Sequence, residues 1–259
     1  MQIYCYLRID VIFLKSPEEI EKMARSGRIV GEVLETLKDL VAIGITTKEI
    51  ENFADERIRA LGGVPAFKGY RGYPASVCTS VNEQVVHGIP SSRALKDGDI
   101  ISIDIGVYLD GFYGDGAVTI PVGTVDREAA ELIRVTEEAL YLGIRNAVEG
   151  NRLYDISSAV QRHVEGNGFS VVRLFVGHGI GRELHEDPQV PNYGAPGQGP
   201  RLKKGMTLAI EPMVNAGTHE VTILDDGWTA VTKDGKKSAH FEHTVLVTSD
   251  TPRILTKYN

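Results

Sequence analysis

Leu95-Lys96-Asp97-Gly98-Asp99-Ile100-Ile101-Ser102-Ile103-Asp104 recurs 107 residues later as Leu202-Lys203-Lys204-Gly205-Met206-Thr207-Leu208-Ala209-Ile210-Glu211. Both stretches read Leu-Lys, a glycine turn, an apolar strand and a terminal carboxylate. Other matches follow in the same order. Gly44 with Ile50 is answered by Gly150 with Ile156, and Gly62 by Gly168, all at an offset of 106. His87-Gly88-Ile89 is echoed by His178-Gly179-Ile180, though at an offset of 91. Matches in one order at nearly one offset indicate a duplicated α/β unit. A chain built this way has few folding choices. Its halves, about residues 16–120 and 122–248, must pack as near-equivalents, and anything at their strand ends meets near a pseudo-twofold axis.

The local signals repeat with the halves. Ser16-Pro17-Glu18-Glu19 is a helix start, with Ser16 as N-cap, Pro17 in first position and Glu19 closing a capping box. That helix is expected to reach about Val41. Thr46-Thr47-Lys48-Glu49 opens a second helix, which Gly62-Gly63 ends. A strand and turn are expected at 75–87, and strands at 100–108 and 112–120. The second half predicts helices at 128–147 and 153–165, and strands at 170–176, 206–214 and 239–248. The Gly/Pro-rich stretch 194–200 reads as a surface loop. Helix pairs followed by antiparallel strands, twice over, predict an α+β domain with two half-sheets and external helices.

Asp110-Gly111 is a hairpin signal. With those residues at the turn's centre, Leu109 faces Phe112 and Asp115 faces Gly106. Asp104 then lies diagonal to Asp115 on one sheet face, where bases sit roughly 7–8 Å apart. Two carboxylates so placed repel unless cations or protons lie between them. The second half offers Glu211 and Glu242, and His178 stands between glycines, which suggests an open turn. Acids at strand ends are ordinarily solvated. Here two of them close equivalent apolar strands, where an unpaired charge would be costly. Four carboxylates and one imidazole suit a pair of hard or borderline divalent ions such as Mn, Fe(II), Co or Zn, and differ from a cysteine-rich structural zinc site.

Composition narrows the rest. The formal net charge of −7 and the lack of a Lys/Arg block argue against direct nucleic-acid binding. Two cysteines, Cys5 and Cys78, fit a reducing compartment and give no disulfide framework. No apolar run approaches the ~18 residues of a membrane span, and the N-terminus lacks a signal-peptide pattern. A cytoplasmic globular protein without membrane contact is expected.

From about residue 11 onward the chain resembles the bacterial type I methionine aminopeptidases, which have the pita-bread fold. The resemblance rests on Asn82-Glu-Gln-Val-Val-His87-Gly-Ile-Pro, Gly-Asp-Ile-Ile-Ser-Ile-Asp104, Gly-Phe-Tyr-Gly-Asp115, His178-Gly-Ile-Gly-Arg-Glu-Leu-His185-Glu-Asp-Pro, Ile-Glu211-Pro-Met and Phe-Glu242-His-Thr. It implies that Asp104, Asp115, His178, Glu211 and Glu242 hold two divalent ions, with Asp115 and Glu242 bridging. It further implies that His87 and His185 contact substrate, that Glu211 takes a proton from water, and that Tyr70, Tyr73, Cys78 and Trp228 line a methionine pocket. Two positions depart from the family's usual residues, Phe67 for cysteine and Leu184 for an aromatic. Both fall near that pocket and put its shape in question. Asn82, Gln84 and Ser238 match a monovalent-cation site of some members. The implied activity is removal of the initiator methionine from nascent chains whose second residue is small. The implied partners are the nascent N-terminus and the ribosome, and the implied state is a monomer. Xaa-Pro aminopeptidases and prolidases share the ligand set but carry a large N-terminal domain. A non-catalytic module on the same fold is a rival of another kind. Residues 1–10 fit no motif and read as an upstream extension, with Val11 an alternative start codon and 11–259 a single catalytic domain.

Overall fold

The computed structural model describes residues 11–257. The expected extension at 1–10 lies outside them. Helix α1 (Pro17–Leu40) and helix α2 (Thr47–Ala60) start as their sequences require. Ser16 and Thr46 each bond the third helical residue, while Glu19 and Glu49 reach back to the cap backbone. Helix α3 (Arg127–Arg145) begins on Asp126, whose side chain accepts from Ala129 N–H, and ends two residues earlier than expected. Helix α4 (Leu153–Gly166) follows.

Ten strands position the site. They are β1 (Cys78–Val81), β2 (Gln84–Val86), β3 (Ile100–Leu109), β4 (Phe112–Pro121), β5 (Gly177–Gly179), β6 (Glu186–Val190), β7 (Thr207–Ile210), β8 (Met213–Asn215), β9 (Ser238–His240) and β10 (Glu242–Leu246). The central sheet runs β3-β4-β10-β7-β5-β6 through antiparallel neighbours, and β1 also pairs β3. Strands β4 and β10 meet in the middle, one from each half. The hairpin register is the one its sequence dictates: Leu109 faces Phe112, and Gly106 faces Asp115.

Alternation along these strands separates core from site. Ile101, Ile103, Ile105 and Val107 of β3, Val118 and Ile120 of β4, Leu208 and Ile210 of β7 and Val245 of β10 join one buried cluster with apolar residues of the helices. Each such side chain contributes about 1.5–3 kcal/mol on burial. The residues between them point to the opposite face, where the carboxylates stand.

Two long strands expected in the second half are each interrupted. The 206–214 segment stops at Ile210 and resumes at Met213, and the 239–248 segment breaks at Phe241. Pro212 lacks an N–H and cannot continue the ladder. Only Ser170–Val171 of the expected 170–176 strand is extended. The 194–200 segment is a loop, tied by backbone bonds from Leu153 and Tyr154 to the start of α4.

Candidate metal centre and its cavity

Two rows of side chains cross one face of the sheet. In the first row Asp104, Ala117 and Glu242 are cross-strand neighbours. Glu211, one residue past the Ile210–His243 pair, comes level with Glu242. The second row lies two residues along. Gly106 faces Asp115, Ala209 faces Thr244, and His178 faces Ala209. Thr244 Oγ1 accepts from Asp115 N–H at 3.0 Å and donates to Asp115 O at 2.9 Å, locking β4 to β10. Gly106, Ala117 and Ala209 are small, so the acids have open space between them.

The donors converge in two overlapping groups. Ligand atoms of Asp115, His178 and Glu242 lie within 4.8 Å of one another, and so do those of Glu211, His240 and Glu242. Glu242 belongs to both. His178 Nε2 is 3.6 Å from Glu211 Oε1 and 3.9 Å from Asp115 Oδ2, and His240 Nε2 is 3.5 Å from Glu211 Oε2. Asp104 falls outside both triads but stands against Asp115.

The electrostatics of this cluster call for cations. Burial, then the neighbouring carboxylates, pushes Asp104 and Glu242 well above the ordinary carboxyl range, and Glu211 is raised by burial and by Asp115. Asp115 is pushed up by burial to about 7, held there in part by the Gly116 N–H on its Oδ1 at 3.1 Å. Burial pushes His178 down to about 4 and His240 down to about 3, so neither supplies positive charge at neutral pH. Among the described residues no Lys or Arg pairs with these acids. His178 Nδ1–H donates to Gly179 O at 2.9 Å, which leaves the Nε2 lone pair facing carboxylate oxygens. A lone pair and carboxylates cannot bond each other. Asp104 Oδ1, Glu242 Oε1 and His240 Nε2 are also buried without partners. Oxygen-rich donors with a nitrogen in each triad and unpartnered atoms between them fit divalent metal ions.

One expectation is corrected here. His178 does not occupy an open turn. It is buried in β5 between two strands. Its flanking glycines permit that packing. A Cβ on Gly177 would sit 2.3 Å from Ala209 O, and one on Gly179 would sit 2.2 Å from Asp187 O.

Asp104, Asp115, His178, Glu211 and Glu242 line the floor of a cavity of about 330 Å³, walled by Phe67, Tyr70, Tyr73, Cys78, Leu184 and Trp228, with His87 and His185 beside the floor. Every residue singled out for substrate contact lines this one space. Tyr73 donates to Gly88 O at 3.0 Å and meets Trp228 edge-on at 5.1 Å. Cys78 is the cross-strand partner of Asp104, and burial pushes its thiol well up, so it stays a neutral wall residue. His87 has a left-handed backbone (φ 59°) and sits edge-on to Phe175, and burial lowers it to about 4. His185 stacks on Tyr70 at 5.3 Å, with Nδ1 2.9 Å from the Tyr70 hydroxyl. Desolvation, with His178 and Arg71 adding, drives His185 well below its ordinary value, so both rings are neutral donors at pH 7. The Phe67 ring lies over Gly106, where a Cβ would come 2.4 Å from its Cε1.

Asn82, Gln84 and Ser238 are neighbours, but their side-chain oxygens are already engaged. Asn82 Oδ1 accepts from Ile100 N–H, Gln84 Oε1 accepts from Val81 N–H, and Ser238 Oγ donates to Val214 O. His243 faces the helices rather than the donors, with Nδ1 2.9 Å from Thr256 Oγ1. Sequence reasoning noted His240 only as a neighbour of Glu242, outside the donor set, and missed Phe175. His240 had a signal, because it stands two residues before Glu242 and so shares its strand face. Phe175 had none.

Two near-equivalent halves, with acids presented where their central strands meet, define the pita-bread class of metallohydrolases. The chain belongs to metallopeptidase family M24, matched over residues 21–249. It is 57% identical to the methionine aminopeptidase of Clostridium perfringens over 246 residues, covering 95% of this chain and 99% of that protein. Its structure is similar to that of the Thermotoga maritima methionine aminopeptidase, with a TM-score of 0.94 at 51% identity, covering 95% of this chain and 100% of that one. A Pyrococcus horikoshii prolidase shares the fold at 20% identity and a TM-score of 0.77, and this chain covers 64% of it.

Proposed function

We propose that this chain is a metal-dependent methionyl aminopeptidase that removes the initiator methionine from new polypeptides when the second residue is small. The observation that carries the reading is the pair of donor triads sharing Glu242 at the floor of an aromatic and apolar cavity. Identity of 57% to a methionine aminopeptidase supports it. Asp104, Asp115, His178, Glu211 and Glu242 would hold two divalent ions (Co, Mn, Fe(II) or Zn), and the unpartnered His240 Nε2, 3.5 Å from Glu211, adds a nitrogen beside them. When bound, such ions lower the pKa of an attacking water and offset charge on the carbonyl oxygen.

The chain's own residues do the rest. Glu211 is placed to accept the water's proton. The Tyr70 hydroxyl can donate to His185 Nδ1, which leaves His185 Nε2–H to donate to the carbonyl oxygen as charge develops there. His87 holds the nitrogen side of the scissile bond. The free α-amine lies near Asp104, which restricts the reaction to the chain's first residue. Phe67, Tyr70, Tyr73, Cys78, Leu184 and Trp228 enclose the methionine side chain. No described helix is long and apolar enough to cross a membrane. A monomer acting in the cytoplasm on chains leaving the ribosome fits this reading.

Metal-stripped protein given back each ion anaerobically should cleave Met-Ala-Ser and leave Ala-Pro peptides intact. Preference for Ala-Pro would make it a prolidase relative, and failure to bind any ion would make it a non-catalytic module.

A further inference from the structure

The segment before α1 carries a lysine with an unusual environment. Lys15 Nζ lies 2.5 Å from Glu186 Oε2, and the two side chains are only 5% and 6% exposed. A buried ion pair is a weak source of stability, because desolvating both charges offsets their attraction. Its geometry shows a different use. Glu186 Oε1 accepts from Arg182 N–H at 2.8 Å and from Glu183 N–H at 3.3 Å. One carboxylate therefore closes the 182–186 loop with one oxygen and grips Lys15 with the other. That loop carries Leu184 and His185 into the cavity. Lys15 is itself fixed, since its N–H donates to Gly205 O at 2.8 Å, at the turn leading into β7. Gly181 has no room for a side chain because Lys15 Cε occupies it, 2.4 Å from where a Cβ would be. A second, exposed pair runs parallel, from Arg182 to Glu19 of the α1 capping box at 2.9 Å.

We propose that Lys15 is a positioning residue for His185, and that the strap at 11–16 is thereby a working part of the active site. The inference rests on the proposed role of His185. The strap holds Glu186, Glu186 holds the loop, and the loop sets where the imidazole stands relative to Glu211 and the substrate carbonyl. Misplacing a catalytic group by about 1 Å can cost as much as 10²-fold in rate.

Lys15→Met alone leaves a buried, unpaired carboxylate and risks misfolding. The decisive variant is therefore Lys15→Met with Glu186→Gln, which removes both charges while the amide oxygen still closes the loop. This variant should keep the native Tm within a few degrees, lose about tenfold in kcat on Met-Ala-Ser, and change KM less than about twofold. Lys15→Arg should recover part of the lost kcat. The His185 imidazole signal in NMR of ¹⁵N-histidine-labelled protein should shift or broaden in the double variant, a readout independent of turnover. Arg182→Ala, which breaks the exposed pair and the guanidinium contact over the Phe112 ring but leaves Lys15 on Glu186, should leave kcat near native. Native kcat with an unmoved His185 signal in the double variant would overturn the proposal. A shifted signal with native kcat would overturn it too, and would also count against the catalytic role of His185. That second failure is distinguished by His185→Ala, which lowers kcat only if the role is right.

Discussion

In the first half of the molecule Asp104 and Asp115 stand on a hairpin whose strands run unbroken from Ile100 to Leu109 and from Phe112 to Pro121. In the second half Glu211 and Glu242 stand where both strands are interrupted. The repeat preserved the carboxylate at the strand end and changed its support. Short aspartates suffice where the backbone is straight and its pleat aims them at the centre. Glutamates, one methylene longer, serve at the break, across which Ile210 still pairs with His243 and Met213 with His240 in one register. His240, on the same strand face as Glu242, sets Nε2 3.5 Å from Glu211 Oε2. Duplication thus supplies the scaffold, and His178 and His240, both from the second half, make the two donor triads unequal.

The sharpest way to break this comparison is to count metal. Glu242 belongs to both triads, whereas His178 belongs to one. Glu242→Ala should bring turnover to background and leave the protein unable to hold either ion tightly. His178→Ala should also lose activity but retain about one tightly held ion, as measured by elemental analysis after dialysis. Two ions retained in Glu242→Ala would show that the halves build independent sites.

His240 is the next test. It is held by Thr119, whose Oγ1 accepts from His240 N–H at 2.9 Å and donates to its carbonyl at 2.8 Å. Ser102 Oγ completes this chain, 2.8 Å from Thr119 Oγ1. A residue that steadies a ligand in this way typically contributes 10–100-fold in metal affinity or activity. His240→Ala should lose about that much, and Thr119→Val less. An unaltered metal affinity in His240→Ala would mean that His240 has no role at the centre.

The same contrast explains what could be read from sequence. The first half was legible to the register, because Asp110-Gly111 fixes the turn and the pleat then fixes which residues share a face. Ser16 and Thr46 as caps were legible for the same reason, since each satisfies local donors with local atoms. In the second half the helices were equally legible, but the strand breaks were not. Pro212 announces that a strand cannot continue, but nothing local says that the partner strand breaks at Phe241. Phe241 itself keeps the alternation, with its ring in the core on the helix side, and the pairing register is the same on both sides of it. The misreading of His178 has a similar origin. Glycines beside it suggest a loosely folded turn, whereas they are needed because the carbonyls of Ala209 and Asp187 lie against the strand. The Lys15–Glu186 contact spans 171 residues of sequence and had no signal at all.

A smaller effect is expected at the cavity wall. Phe67 is 8% exposed and packs over Gly106, so its ring fills space beside the first-half acids. Leu184 fills the matching wall from the second half. Phe67→Cys removes the ring and should raise kcat/KM for peptides led by residues with one more methylene than methionine. One methylene in an apolar pocket is worth about 1–3 kcal/mol, so a change of about tenfold is expected. Methionine itself should be affected less. Equal selectivity in native and variant enzymes would show that the ring does not limit the pocket.

The smallest effect concerns stability in the metal-stripped protein, where the carboxyls of the two halves should titrate differently. Burial raises Asp115 to about 7, while Glu242 is raised well above its ordinary value by burial and by three neighbouring acids. For a carboxyl raised on folding, the native state holds the proton more tightly than the unfolded state does. Its contribution is therefore fully present below the unfolded pKa and is lost as pH climbs through the folded one. The buried histidines act in the opposite direction, so total stability is a poor readout and a difference is needed. An amide mimics the protonated carboxyl and does not titrate. The Tm advantage of Asp115→Asn over the native sequence should grow as pH rises from about 4 and level off above about 7. That of Glu242→Gln should still be growing at pH 7. Each kcal/mol should appear as about 2–4 °C for a chain of this size. If both differences level at the same pH, the Gly116 N–H that restrains Asp115 has no counterpart effect, and the two halves present equivalent acids after all.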